Sequence, residues 1–292
     1  MVFLIVILVL VVLYLMVLIL VQPHLIMMAP KQTLDQSMAW QKERYDVSFY
    51  DSLSKEDYIV TSEDGYELHV QLLKNLSEST RYVIISHGYT DNRIGSLKYA
   101  SMYLDMGFNV IIYDLRGHGL NKPHRTTYGY MESKDLKAVI EDTRERYKDI
   151  SMLGLHGESL GAGTTITVLK YKPQVDFAVS DCGFSDMDNV IGNRFKFRFM
   201  YDLCDFGCRL QFGYSVKDIR PIEALEENTI PVLFIHGEGD KLIVPQNSID
   251  MSEKTKGMSK VHLIDGAEHA YSIIKDPVSY RRYVKEFIEK IS

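Results

Sequence analysis

The pentapeptide Gly157-Glu158-Ser159-Leu160-Gly161 follows the strand-like run Ser151-Met-Leu-Gly-Leu-His156 and precedes a helix-like run from Leu160 to Tyr171. A serine hydroxyl is hardly ionised near neutral pH, so it attacks a carbonyl only as its proton leaves for a neighbouring base. A sharp turn from strand into helix at Ser159 would lift its oxygen clear of a sheet. It would also leave the next backbone N–H, that of Leu160, facing the reacting carbonyl. Gly157, Gly161 and Gly163 suit the crowding such a turn imposes. G-x-S-x-G also arises by chance in unrelated chains; the strand before and the helix after give this one its chemical meaning.

The elements that would position Ser159 can be read around it. Tyr58-Ile-Val-Thr61, then Glu63-Asp64-Gly65, then Tyr66 to Leu73 reads as a β-hairpin with Asp64-Gly65 at the turn. Apolar strands then alternate with helical patterns at residues 82–86, 109–113, 152–156, 177–180, 232–236 and 261–264. Alternation after an antiparallel opening predicts a mostly parallel sheet covered on both faces, with the site in loops at the carboxyl ends of its strands. Between Cys182 and Glu227 no strand pattern occurs. That stretch holds Phe184, Phe195, Phe197, Phe199, Tyr201, Phe206, Phe212 and Tyr214, and it is the candidate lid, about residues 183–226.

Taken together, the hairpin, the alternation, Gly157-Glu-Ser-Leu-Gly161 and the chain order Ser, Asp, His resemble the α/β-hydrolase superfamily over roughly Lys55 to Ser292. His87-Gly88-Tyr89, Asp114-Leu-Arg-Gly-His-Gly119, Gly237-Glu-Gly-Asp240 and Glu268-His269 match its recurring loop signatures, and the membrane-anchored esterase and acyl-hydrolase branches look most similar. The resemblance implies an α/β-hydrolase fold and cleavage of an ester or thioester, with the substrate left open. It makes His269, after the last strand, the base. Asp240, after the strand 232–236, is the acid that holds the imidazole in its tautomer. Asp181, at the end of the preceding strand, is the alternative acid. The N–H groups of Leu160 and Tyr89 are the expected oxyanion donors. Arg116 and His118 are expected to brace loops through buried hydrogen bonds. Glu158 and Glu268 are expected to point away from the chemistry. Serine at 159 excludes the haloalkane-dehalogenase and epoxide-hydrolase route, which needs a carboxylate at the elbow. No cofactor motif is present and no metal is required.

Val2 to Val21 is a continuous apolar run broken only by Tyr14, which at ~1.5 Å per residue can cross a ~30 Å hydrocarbon layer. A cleaved signal peptide is the competing reading. It would show a basic start, a shorter apolar stretch and a small-residue exit, none of which is evident. The expected organisation is therefore a single-pass anchor over 1–22, a polar connector over 23–54 and a catalytic domain over 55–292. Only Lys31 lies close behind the span, so the charge rule barely orients it. The resemblance places the catalytic domain outside the cytoplasm. Trp40 is either an interfacial anchor or a residue packed on the domain. In Arg194-Phe-Lys-Phe-Arg-Phe199 aromatic and basic residues alternate. A strand would segregate them and a helix would mix them, with the cations facing solvent or anionic headgroups.

Of the 292 residues, charged ones are interspersed and the net charge is −6, which leaves no electrostatic footprint for nucleic acid. No repeat or low-complexity tract occurs. Cys182, Cys204 and Cys208 form an odd set, and no histidine stands near them at metal-ligand spacing. The expected function is a membrane-anchored serine hydrolase acting on a small-molecule or lipid-like acyl ester through an acyl-enzyme. The alternatives are a serine peptidase on the same fold and a noncatalytic membrane adaptor that keeps the scaffold.

Overall fold

The computed structural model describes residues 2–192 and 194–291. A long apolar helix, Val2–Met27 (α1), and a short one, Leu34–Lys42 (α2), precede the sheet. The hairpin strands are Lys55–Thr61 (β1) and Glu67–Leu73 (β2), joined through Gly65, whose φ of 80° explains glycine there. There follow Arg81–Ser86 (β3), Leu97–Asp105 (α3), Asn109–Tyr113 (β4), Glu132–Arg146 (α4), Met152–Glu158 (β5), Leu160–Val168 (α5) and Phe177–Asp181 (β6). After the helices Met187–Gly192 (α6) and Arg198–Phe212 (α7), the sheet resumes with Val232–Gly237 (β7), Gln246–Lys254 (α8), Ser259–Ile264 (β8) and the closing helix Pro277–Ile291 (α9).

The eight strands lie in the order β1-β2-β4-β3-β5-β6-β7-β8, with β2 antiparallel to both β1 and β4 and every later pairing parallel. This is the α/β-hydrolase fold. Side chains alternate across the pleat. Val83, Ile85, Val110, Ile112, Phe177, Val179, Leu233 and Ile235 join one core cluster with Leu97 and Tyr103 of α3 and Tyr280, Val284 and Phe287 of α9. Ile84, Ile111, Leu155, Ala178 and Phe234 alternate with them and are buried as completely. Strands buried on both faces need continuous apolar runs, which is why β3 to β7 were legible as runs rather than as alternations.

The chain forms two compact units. One comprises residues up to Ala29 together with Asp186–Arg220; the other comprises Pro30–Ser185 with Pro221–Ser292. In the larger unit α2 starts at a capping box between Thr33 and Gln36. Trp40 of α2 meets the rings of Tyr45 and Tyr271 and carries the Arg44 guanidinium over its face, so it packs on its own unit. In the smaller unit the 194–199 segment is neither one strand nor one helix. Its first residues are irregular, Phe197 is extended (φ −133°, ψ 137°), and α7 begins at Arg198. Cys204 and Cys208 lie on α7, and they and Cys182 are free thiols.

Candidate active site

β5 runs into α5 through Ser159, whose backbone sits at φ 53° and ψ −110°. A non-glycine residue there is strained, and only tight surroundings hold it. A Cβ on Gly157 would lie 2.2 Å from the Gly161 carbonyl oxygen, and one on Gly161 would lie 2.0 Å from that of Ser86. The elbow therefore closes only with glycine on both sides of the serine. Thr90, Cys182 and Ala270 also have positive φ, and each directly follows a residue named above as a site candidate, Tyr89, Asp181 or His269. Of the six non-glycine residues with positive φ among the described residues, four thus stand at or next to site candidates, Tyr128 and Lys172 being the others.

The structure brings Ser159, His269 and Asp240 together. Ser159 Oγ lies 2.8 Å from His269 Nε2, and His269 Nδ1 lies 2.6 Å from Asp240 Oδ2. A carboxylate beside Nδ1 fixes the proton on that nitrogen, which leaves Nε2 to accept from the serine hydroxyl. Asp240 is buried, and its other oxygen takes the amides of Leu242 and Ile243, each at 2.9 Å. Burial works to raise this carboxyl; hydrogen bonds from His236, His269 and the Ile243 amide overcome it and hold it well below the usual carboxylate range. Asp240 is thus an anion poised beside an imidazole.

Asp181, the alternative acid, does not reach His269. Its Oδ2 accepts the hydroxyls of Tyr99 at 2.8 Å and Tyr280 at 2.9 Å. Burial, and then the nearby Glu158 charge, push it up to about 6, with the two tyrosines and Lys98 acting against them. Its backbone carbonyl instead holds the Ser159 amide at 2.9 Å. Glu158 points away from the serine, pairs with the buried Lys98 and accepts the Tyr99 hydroxyl at 2.5 Å. Burial would lower the Lys98 ammonium, but the Glu158 charge more than compensates and raises it.

Leu160 opens α5, where the first N–H groups lack intrahelical acceptors and can face an anion. Tyr89 stands in the loop after β3. That loop is braced by His87, whose Nδ1 donates to the Gly88 carbonyl at 2.8 Å and whose Nε2 accepts the Leu115 amide at 3.0 Å. Burial lowers the His87 imidazole, consistent with this neutral tautomer. A Cβ on Gly88 would come within 2.9 Å of Glu158 Oε1, so the loop passes directly over the elbow. Behind it Arg116 is buried between Asp135 and Asp64, and His118 Nδ1 meets the Arg116 carbonyl at 2.8 Å.

Spacing alone gave no signal for His236, Ser248, Lys98 or Tyr280. His236 Nε2 faces both Asp240 Oδ2 at 3.2 Å and the Ile243 carbonyl at 2.8 Å, so that nitrogen carries the proton, while Nδ1 accepts from Ser248 at 2.7 Å. Its one visible mark was its place at the end of β7, four residues before Asp240. Cys182, Asp240 and His269 present donor atoms within 4.8 Å of one another. Burial, followed by the Asp181, Glu158 and Asp240 charges, pushes the Cys182 thiol up and away from the thiolate a metal needs.

Residues 95–290 match the prolyl oligopeptidase family. The chain is 30% identical to the Bacillus subtilis (strain 168) protein YqkD across 92% of its own length and 91% of that protein's. Among solved structures, the Pyrococcus furiosus esterase Pf2001 superposes with a TM-score of 0.71 at 24% identity, covering 91% of this chain and 98% of that one. Est1E from Butyrivibrio proteoclasticus, solved with ferulic acid bound, gives 0.65 at 18% identity over 80% of this chain and 98% of that one. These two likenesses concern the fold. The family match spans most of the sheet and every strand from β4 onward, and with it the chain belongs to the prolyl oligopeptidase family of the α/β-hydrolase superfamily, as a hydrolase of the serine type.

Proposed function

We propose that this protein is a membrane-anchored serine hydrolase that cleaves carboxylic esters or thioesters through an acyl-enzyme. The observation that carries the reading is the unbroken relay from Ser159 Oγ through His269 to the buried Asp240. Ser159 Oγ bonds to the substrate carbonyl carbon while its proton passes to His269 Nε2, and Asp240 stabilises the imidazolium so formed. The N–H groups of Leu160 and Tyr89 hold the tetrahedral oxyanion. Collapse breaks the bond to the leaving alcohol or thiol, which takes the proton from His269. Water then adds to the acyl group by the same steps and releases the acid with free Ser159. The apolar α1 is the anchor, about residues 1–22, with a connector over 23–54 and the catalytic domain over 55–292 on the extracytoplasmic side. The insertion at 183–226 serves as the lid.

The match to the prolyl oligopeptidase family favours a second reading, hydrolysis of a peptide bond by the same three side chains. One experiment tests both. Purified full-length protein and Ser159→Ala are treated with a fluorophosphonate probe, then offered p-nitrophenyl esters of increasing acyl length and matched peptide anilides. Labelling lost in the variant, with esters turned over faster than anilides, supports the ester reading. Faster anilide turnover supports the peptidase. Folded wild-type protein that neither labels nor turns over would overturn both and leave the adaptor.

A further inference from the structure

The smaller unit contains an interface built as membrane helices build theirs. Within α1, Val17–Val21 is wound as a π-helix, with the Gln22 amide bonded to the Val17 carbonyl. Pro23 stands four residues after Ile19 and has no N–H, so the Ile19 carbonyl cannot take the i+4 donor of an α-helix. Gln211 of α7 supplies the missing donor: its Nε2 lies 2.8 Å from Ile19 O, and its Oε1 meets His24 Nε2 at 2.8 Å. Gly207 permits the approach, because a Cβ there would sit 2.1 Å from Ile19 O and 2.9 Å from the Pro23 ring. In a hydrocarbon layer an orphan carbonyl costs several kcal/mol, and a small residue with a polar side chain at the crossing is how helices relieve it. The two helices run the same way. Tyr14 meets Met200 near the start of α7, and Met27 meets Tyr214 just past its end.

The rest of α7 makes sense only if something apolar covers it. Tyr201, Cys204 and Cys208 are buried on one side. Phe199, Phe206 and Leu210 are more than half exposed, and at helical spacing they fall on one stripe with Leu203 beside the face that carries Gly207 and Gln211. The stripe is therefore continuous with the exposed apolar surface of α1. Val2–Val21 at ~1.5 Å per residue reaches about 30 Å, the hydrocarbon thickness of a bilayer, which puts Val21 at the boundary, Ile19 about 3 Å beneath it and Tyr14 about 10 Å beneath it. Arg198 at the deeper end of α7 is paired with Asp188 and Asp202, so its charge is met by carboxylates at that depth.

We propose that α7 is itself a membrane element, docked on α1 in the same leaflet with Phe199, Leu203, Phe206 and Leu210 against phospholipid acyl chains. The inference rests on the anchor reading of α1. The test uses unaltered full-length protein in phosphatidylcholine–phosphatidylglycerol vesicles whose lipids carry a photoactivatable diazirine on the acyl chain, with adducts mapped by mass spectrometry. A helix with one ~100° face in lipid should take about a third of the adducts per residue found on a helix exposed all round. Adducts on Val2–Leu18 and, at that ratio, on Phe199–Leu210 support the proposal. Adducts on Val2–Leu18 alone overturn it while leaving the anchor intact, and point to a protein covering the stripe. Adducts on neither segment remove the anchor reading and this one with it.

Discussion

His236 Nε2 lies 3.2 Å from Asp240 Oδ2, the same oxygen that receives His269 Nδ1. Two imidazoles therefore share one carboxylate oxygen, while the other oxygen is fixed by two backbone amides. The first imidazole is fully buried and anchored at both nitrogens, so it acts as a wall that keeps the carboxylate aimed at His269.

Replacing His236 by Ala should accordingly lower kcat with little change in KM. Removing a buried partner from a charged acceptor is worth about 1–3 kcal/mol, or roughly a tenfold to hundredfold loss. Steady-state kinetics on the best p-nitrophenyl ester would show it. A change in KM alone would mean that His236 shapes the pocket rather than the acid.

Asp240→Asn and Asp181→Asn separate the two carboxylates that sequence order could not. An amide at 240 can present its NH2 to His269 and invert the tautomer, and a loss of about 10⁴ in kcat is expected. An amide at 181 keeps an oxygen for the Tyr99 and Tyr280 hydroxyls, and kcat should stay within a few fold. A larger loss at 181 than at 240 would show that the relay seen here is not the working one.

What sequence could say about this site follows from which interactions are local. The elbow was readable because Gly157, Ser159 and Gly161 must stand next to one another for the backbone to pass. The strands were readable because burial on both faces writes continuous apolar runs. Lys98 and Glu158, by contrast, meet only after β3, α3 and β5 have packed, and a buried ion pair leaves no periodic trace in the chain. The 194–199 segment misled for a related reason. Its alternation follows no single backbone period, because the helix begins within it at Arg198.

The pH dependence of stability carries two opposite signs. Asp181 is raised from 3.8 to about 6, so between those values the unfolded chain has lost its proton while the folded chain keeps it. Stability falls through that window as pH rises, by about 3 kcal/mol in total for this group. Asp240 is depressed, so its contribution is complete above the unfolded value and is lost as pH falls through the folded one. Asp181→Asn should therefore gain stability relative to wild type between about pH 4 and 6.5. Comparing variant with parent cancels His87, His118 and His156, whose imidazoles burial lowers equally in both. Urea unfolding in micelles across this range would read the difference; one that does not vary with pH contradicts the assignment.

Gly88 and Gly161 are both crowded, but by partners of different stiffness. A methyl on Gly161 would meet backbone at 2.0 Å from Ser86 O, which cannot yield without moving β3, so Gly161→Ala should give no folded protein. A methyl on Gly88 would meet a side chain, Glu158 Oε1, at 2.9 Å. That carboxylate is tied to Lys98 and Tyr99, so the strain should fall instead on the loop carrying the Tyr89 N–H. Gly88→Ala should fold and, with the Tyr89 N–H as the proposed oxyanion donor, lose kcat by about tenfold to a hundredfold, since misplacing such a donor costs up to 10²–10³. Adding Glu158→Asp retracts the obstructing oxygen and should restore part of the rate. Circular dichroism and kinetics on the two single variants and the pair would check the argument, and a pair no better than Gly88→Ala alone would mean that Glu158 does not set the position of the loop.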